Sequence, residues 1–194
     1  MSWTIPNILT LIRIILIPVL VIVFYVQGQW SYQMSAAIFG MAALTDLLDG
    51  YLARRLNQLS AFGAFLDPVA DKLMVAVALV LLVQDNPSPL FAIPSAIIIG
   101  REIAISALRE WMSEIGARTK VAVSIIGKFK TTIQMIAILL LLFKMPLAGF
   151  PTHDVGLALL YIAAALTLWS MVVYMHAAWP LLSGKSEIPP ENRA

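Results

Sequence analysis

The chain has 194 residues, 60% of them hydrophobic and only 12% charged, with a net charge of +2. A soluble domain carries about twice that share of charge, so a water-exposed globule is excluded, and so small a positive balance gives no reason to expect nucleic acid as a partner. With no cysteine in the chain, disulfides and thiolate metal sites are excluded as well.

Charged residues are absent from Ile14 to Thr45 and again from Val155 to Gly184. A bilayer-spanning helix needs ~20 apolar residues. The expected fold is therefore all-α: a polytopic membrane protein in which six transmembrane helices form one bundle. The first span is expected over 6–26. Its single basic residue, Arg13, lies inside the apolar run and no small-residue cleavage site follows, so the segment reads as a helix and not as a signal peptide. The second span is expected over 34–54 and the third over 61–83, separated from the first by the Gln27-Gly28-Gln29 break. After Asn86-Pro87-Ser88-Pro89 come the fourth span, 90–111, and the fifth, 121–143. A break from Met145-Pro146 to Pro151 precedes the sixth, 154–177. Residues 1–184 make a single membrane domain. The polar tail 185–194, with Pro189-Pro190, is expected to be disordered.

Lys and Arg set the orientation. With both termini cytoplasmic, the external loops 27–33, 84–89 and 144–153 hold Lys144 alone of the 13 basic residues. The reverse topology would place the other twelve outside. Spans one and six are almost wholly apolar, whereas the middle four reach full length only by including charges. Span two must take in Asp46 and Asp49, span three Asp67 and Asp71, span four Arg101, Glu102 and Arg109, and span five Lys128 and Lys130. In this topology all of those polar halves face the cytoplasm, which predicts a polar cavity in the bundle, open to the cytoplasm. Intramembrane charges are costly and mark sites or pathways.

The acids follow a pattern: Asp46-x2-Asp49-Gly50-x2-Ala53-Arg54-x8-Gly63-x3-Asp67-x3-Asp71. At about 100° per residue, Asp46, Asp49, Gly50 and Ala53 share one helix face, and Gly63, Asp67 and Asp71 share another. Four carboxylates facing one another in a low dielectric repel and call for counter-charge. Two divalent metal ions, Mg²⁺ or Mn²⁺, match the all-oxygen donor set and suit substitution at phosphorus. The small residues let a nucleotide approach the helix backbones. Two other readings compete: a structural ion-pair network with Arg54, Arg55 and Lys72, and an ion-coupled transporter. The acids cluster near one surface, with no continuation through the outer half, which favours a reaction site.

The pattern resembles the signature of the CDP-alcohol phosphotransferase family at all eight defined positions. Further matching stretches are Ile5-Pro6-Asn7, Phe62 to Lys72, Arg101-Glu102-Ile103, Ser106 to Trp111, and Gly127-Lys128 with Lys130-Thr131-Thr132. The resemblance implies a six-helix bundle, a homodimer, and a site on the cytoplasmic side of a bacterial inner membrane. It implies that Asp46, Asp49, Asp67 and Asp71 hold two metals and the CDP pyrophosphate, and that Asp71 is the catalytic base. Gly50, Ala53, Arg54 and Gly63 would contact the nucleotide together with Asp49 and Asp67. The implied reaction joins CDP-diacylglycerol and sn-glycerol 3-phosphate, with membrane lipid as the medium, and releases CMP. Serine or inositol phosphate as acceptor would use the same aspartates.

An acceptor bearing a phosphate needs cations of its own. Arg101, Arg109, Lys128 and Lys130 are the candidates, Arg being suited to bidentate phosphate binding. Arg101 and Arg109 stand about 80° apart on a helix, so both can face one pocket, with Glu102 and Glu110 to orient them. Lys128 and Lys130 stand about 200° apart, so one of the two is expected to face it. Arg118 and Lys120 read as headgroup contacts. Thr10 and Arg13 share a face of span one, where Arg13 either snorkels to the surface or serves the nucleotide. His153 and His176 lie outside the acid cluster.

Overall fold

The structure is a computed structural model describing residues 4–26, 28, 30–55, 61–115, 125–146 and 149–182. The side chains of 5, 6, 47, 49–54, 61, 62, 64, 125–128 and 180–182 are not among those described. The described residues form six α-helices: α1 (Ile5–Tyr25), α2 (Ser31–Arg55), α3 (Ala61–Asp85), α4 (Pro89–Glu114), α5 (Ile125–Phe143) and α6 (Thr152–Leu182). All six expected helices are present. α2 starts three residues early because Ser31, Tyr32 and Gln33, read as loop, form its first turn; the Ser31 hydroxyl donates to the Gly28 carbonyl at 3.0 Å. At α4, Ser88 is the N-cap and Pro89 follows it, a position where the missing N–H costs nothing. At α6, Thr152 Oγ1 donates to the Met145 carbonyl at 2.9 Å.

Among the described residues, three helices are long and apolar enough to cross a bilayer: Asn7–Tyr25, Pro89–Glu114 and Thr152–Trp179. Phe129–Phe143 is a shorter apolar helix. α1 packs on α2 and α3, α6 packs on α4 and α5, and α2 meets α5 between the two groups.

The core lies toward one end of the bundle. Leu20 of α1, Phe39 and Ala42 of α2, Leu79 and Leu82 of α3, Ile98 of α4, Ile138 and Leu142 of α5 and Leu160 of α6 are buried together. Small residues bring α5 and α6 close: a Cβ on Gly156 would stand 2.9 Å from Leu141 Cγ and 3.2 Å from Leu140 Cβ. A polar knot closes this end. Lys144 Nζ donates to Asp85 Oδ2 at 2.8 Å and to the Tyr32 hydroxyl at 3.2 Å, and Tyr32 donates to Asp85 Oδ1 at 3.2 Å. The only basic residue expected outside is thus tied to an acid. Lys144 has φ 58°, a left-handed conformation that costs about 1 kcal/mol in a residue with a Cβ. It directs the chain out of α5 and sets the ammonium over the Tyr32 ring, 4.3 Å from its centroid.

Candidate active site

The chemistry-bearing residues gather at the other end. The face shared by Asp67 and Asp71 on α3 turns toward α1 and α2. A cavity of about 480 Å³ lies beside it, bounded by α2, α3, α4 and α5. Asp46, Asp67 and Asp71 line it at one side, with Lys72, Glu102, Thr131 and Gln134. Leu73, Val75, Ala76, Ile98, Ile99, Ile103 and Met135 make the remainder of its wall apolar. Three of the four predicted acids therefore share one cavity. Gly63 is buried in the first turns of α3. Asp49, Gly50, Ala53 and Arg54 lie on α2, one to two turns beyond Asp46; their side chains are outside the described residues, as is that of Lys128 on α5.

α1 supplies what the acid pattern omits. Arg13 is 1% exposed. Its Nη1 stands 3.1 Å from Asp46 Oδ1 and also donates to Asp71 Oδ1. One turn earlier, the Thr10 hydroxyl donates to Asp67 Oδ1. A buried guanidinium is tolerable only where carboxylates pair with it. Arg13 is therefore a bridge that ties α2 and α3 to α1 through their acids, and the surface-snorkelling alternative is overturned. Among the described residues the acid network includes a cation not expected in it, Arg13. Lys72 turns away to donate to the Ser106 hydroxyl of α4, which itself donates to the Glu102 carbonyl at 2.6 Å.

The donor set is all oxygen, from partly exposed carboxylates that line the cavity (Asp46 32%, Asp71 35%), and suits a hard divalent cation. Among the described residues no three acidic or imidazole side chains close on a single point. His153 lies at the opposite end against Phe91 and Asp154, and His176 is exposed.

The predicted acceptor cations form a second cluster, across the cavity and behind Glu102. Glu102 Oε1 accepts from Arg101 Nη1 at 2.8 Å and from Lys130 Nζ at 2.7 Å. Lys130 is buried, and so of the lysine pair it is the one whose inward placement is described. Arg101 Nη2 also donates to Ser170 Oγ at 2.6 Å. Arg109 donates to the Tyr174 hydroxyl at 3.2 Å. Ser170 and Tyr174 went unread in the sequence, because α6 looks apolar throughout; only their positions one turn apart could have marked a polar edge on it.

The chain matches the CDP-alcohol phosphatidyltransferase family over residues 3–169. It is 54% identical to the CDP-diacylglycerol--glycerol-3-phosphate 3-phosphatidyltransferase of Salmonella choleraesuis (strain SC-B67), across 92% of this chain and 96% of that one. It is 52% identical to the protein of that name from Pseudomonas fluorescens, across 95% of each. A third of the same name, from Shigella flexneri serotype 5b (strain 8401), is 54% identical across 92% of this chain and 96% of that one. The acid-lined cavity, the eight-position pattern and relatedness at this level agree: the chain belongs to the CDP-alcohol phosphatidyltransferase family.

Proposed function

We propose that this protein transfers the phosphatidyl group of CDP-diacylglycerol to glycerol 3-phosphate, giving phosphatidylglycerophosphate and CMP. The observation that carries the reading is the cavity with two kinds of wall. Asp46, Asp67 and Asp71 stand at one side and aliphatic residues of α3, α4 and α5 line the rest. A substrate with a charged nucleotide head and acyl tails needs both at once. The relatives named for this reaction cover nearly the whole chain.

Asp46, Asp49, Asp67 and Asp71 would hold two divalent cations, Mg²⁺ or Mn²⁺, which when bound supply positive charge against the pyrophosphate. The four carboxylates and Arg13 together carry three negative charges, so Arg13 already offsets part of the repulsion and fixes where Asp46 and Asp71 point. The Thr10 hydroxyl fixes where Asp67 points. Gly50, Ala53, Arg54 and Gly63 form the nucleotide side of the site in this reading. Asp71, nearest the apolar wall, takes the proton from the acceptor hydroxyl as that oxygen bonds to the lipid-bearing phosphorus and the bond to CMP breaks. Arg101, Arg109 and Lys130, with Lys128, receive the acceptor's phosphate, and Glu102 holds Arg101 and Lys130 in register.

All six helices cross the inner membrane in this reading, as a homodimer, with both termini and the acid-lined cavity on the cytoplasmic side. A lipid substrate then enters from the leaflet, and the soluble substrate enters from the cytoplasm. The test is CMP release from CDP-diacylglycerol by the purified protein in detergent, with glycerol 3-phosphate, serine and inositol phosphate compared as acceptors. Turnover with glycerol 3-phosphate at least tenfold above the others supports the assignment; preference for another acceptor overturns it.

A further inference from the structure

On α6, the Tyr174 side chain meets both candidate acceptor guanidiniums. Its ring centroid lies 5.6 Å from Arg101 Cζ and 5.5 Å from Arg109 Cζ, and its hydroxyl accepts from Arg109 Nη2 at 3.2 Å. Arg101 and Arg109 are eight residues apart on α4, about 12 Å along the axis. One ring in contact with both keeps the two Cζ atoms no farther apart than the sum of those two ring distances. Like charges oppose that arrangement, while the electron-rich face of an aromatic ring attracts each cation. Ser170, one turn earlier on the same face of α6, fixes the other edge of Arg101 through a 2.6 Å hydrogen bond.

We propose that Tyr174 is a positioning residue for the acceptor: it converges Arg101 and Arg109 so that both guanidiniums reach one phosphate. This rests on the acceptor assignment made above. A phosphate group is compact, and two guanidinium forks bind it together only if they are already close. With the ring removed, Arg101 stays with Glu102 and Ser170, and Arg109 swings away from it. The acceptor then keeps one fork and loses the other, while CDP-diacylglycerol, held on the acid side, is unaffected.

The test compares Tyr174→Leu, Tyr174→Phe and Arg109→Ala in detergent-purified protein, measuring kcat and the KM of each substrate beside the thermal unfolding midpoint. A lost cation–π contact converts to about 3- to 30-fold. Tyr174→Leu is expected to raise the glycerol 3-phosphate KM by that factor, with the CDP-diacylglycerol KM unchanged. Tyr174→Phe keeps the ring and should recover most of the loss. Should Tyr174→Leu fail to fold, Tyr174→Met takes its place, and a wild-type acceptor KM in the folded ring-less variant overturns the proposal. Equal rises in both KM values, or a fall in kcat alone, also overturn it. If Arg109→Ala raises the acceptor KM and Tyr174→Leu does not, positioning fails while the acceptor assignment stands. If Arg109→Ala raises only the CDP-diacylglycerol KM, the acceptor assignment itself has failed.

Discussion

Residues 67–72 and 74–82 are neighbouring stretches of α3, yet they belong to opposite regimes. Met74, Ala78, Leu79 and Leu82 are buried among aliphatic side chains from the other helices. Asp67 and Asp71 are buried only in part and meet Thr10 and Arg13. The same division runs through α2 between Ala42 and Asp46, through α4 between Ile98 and Glu102, and through α5 between Lys130 and Ile138. In the apolar region, contact is close and replaceable side chain by side chain; dispersion and tight packing hold it. In the polar region, Asp46, Asp67, Asp71, Arg101, Glu102 and Arg109 each meet a polar partner from another helix.

That division can be broken from either side, and the largest effect belongs to the acids. Asp71→Asn keeps shape and one oxygen donor but loses basicity. General-base catalysis is worth ~10²–10⁴-fold, so kcat should fall by at least about a hundredfold with CDP-diacylglycerol binding largely kept. Retention of more than a tenth of wild-type kcat, with chemistry rate-limiting, would remove Asp71 from the role of base.

The converse change lies in the apolar region. Gly156→Leu drives new atoms into Leu140 and Leu141, where even a Cβ comes within 2.9 Å. Overpacking costs about 1–3 kcal/mol, so the unfolding midpoint in detergent should drop while the KM values of the folded fraction stay put. An acceptor KM shift without loss of stability would show that the two regions are not separate.

The smallest effect concerns Lys144 at the far end, outside the spans. Burial lowers its pKa, but hydrogen bonds to Asp85 and Tyr32 outweigh that and leave it above the ordinary lysine value of 10.5. A raised folded-state pKa means stability that is complete below the unfolded value and is lost as pH rises through the folded one. The unfolding midpoint of the wild type should therefore decline slightly more than that of Lys144→Met as pH passes 10.5. Parallel declines would mean that the Lys144–Asp85 pair adds nothing.

The sequence made the helices legible because apolar runs and Pro- or Gly-bearing breaks are local signals. The convergence of Asp46, Asp67 and Asp71 was legible too, since i, i+3 and i, i+4 spacings fix a face and two such faces in adjacent helices have few ways to pack. Arg13 was undecided, because a lone arginine in an apolar run satisfies itself equally well at a surface or against carboxylates; its partners lie 33 and 58 residues away in sequence. The cation cluster was half legible. Arg101 and Lys130 stand out in the sequence, but their common anchor in Glu102 and the contribution of Ser170 and Tyr174 depend on how α4, α5 and α6 pack, which no local spacing encodes.

In the proposed reaction the acids at the polar end work through divalent cations. The most direct test of that role is CMP release from CDP-diacylglycerol and glycerol 3-phosphate after exhaustive chelation, followed by titration of Mg²⁺ into wild type and Asp46→Asn. No turnover is expected without the ion, with recovery on its return and a higher half-saturating Mg²⁺ concentration in Asp46→Asn. Full turnover in the chelated wild type, or identical Mg²⁺ titrations for the two proteins, would contradict that role.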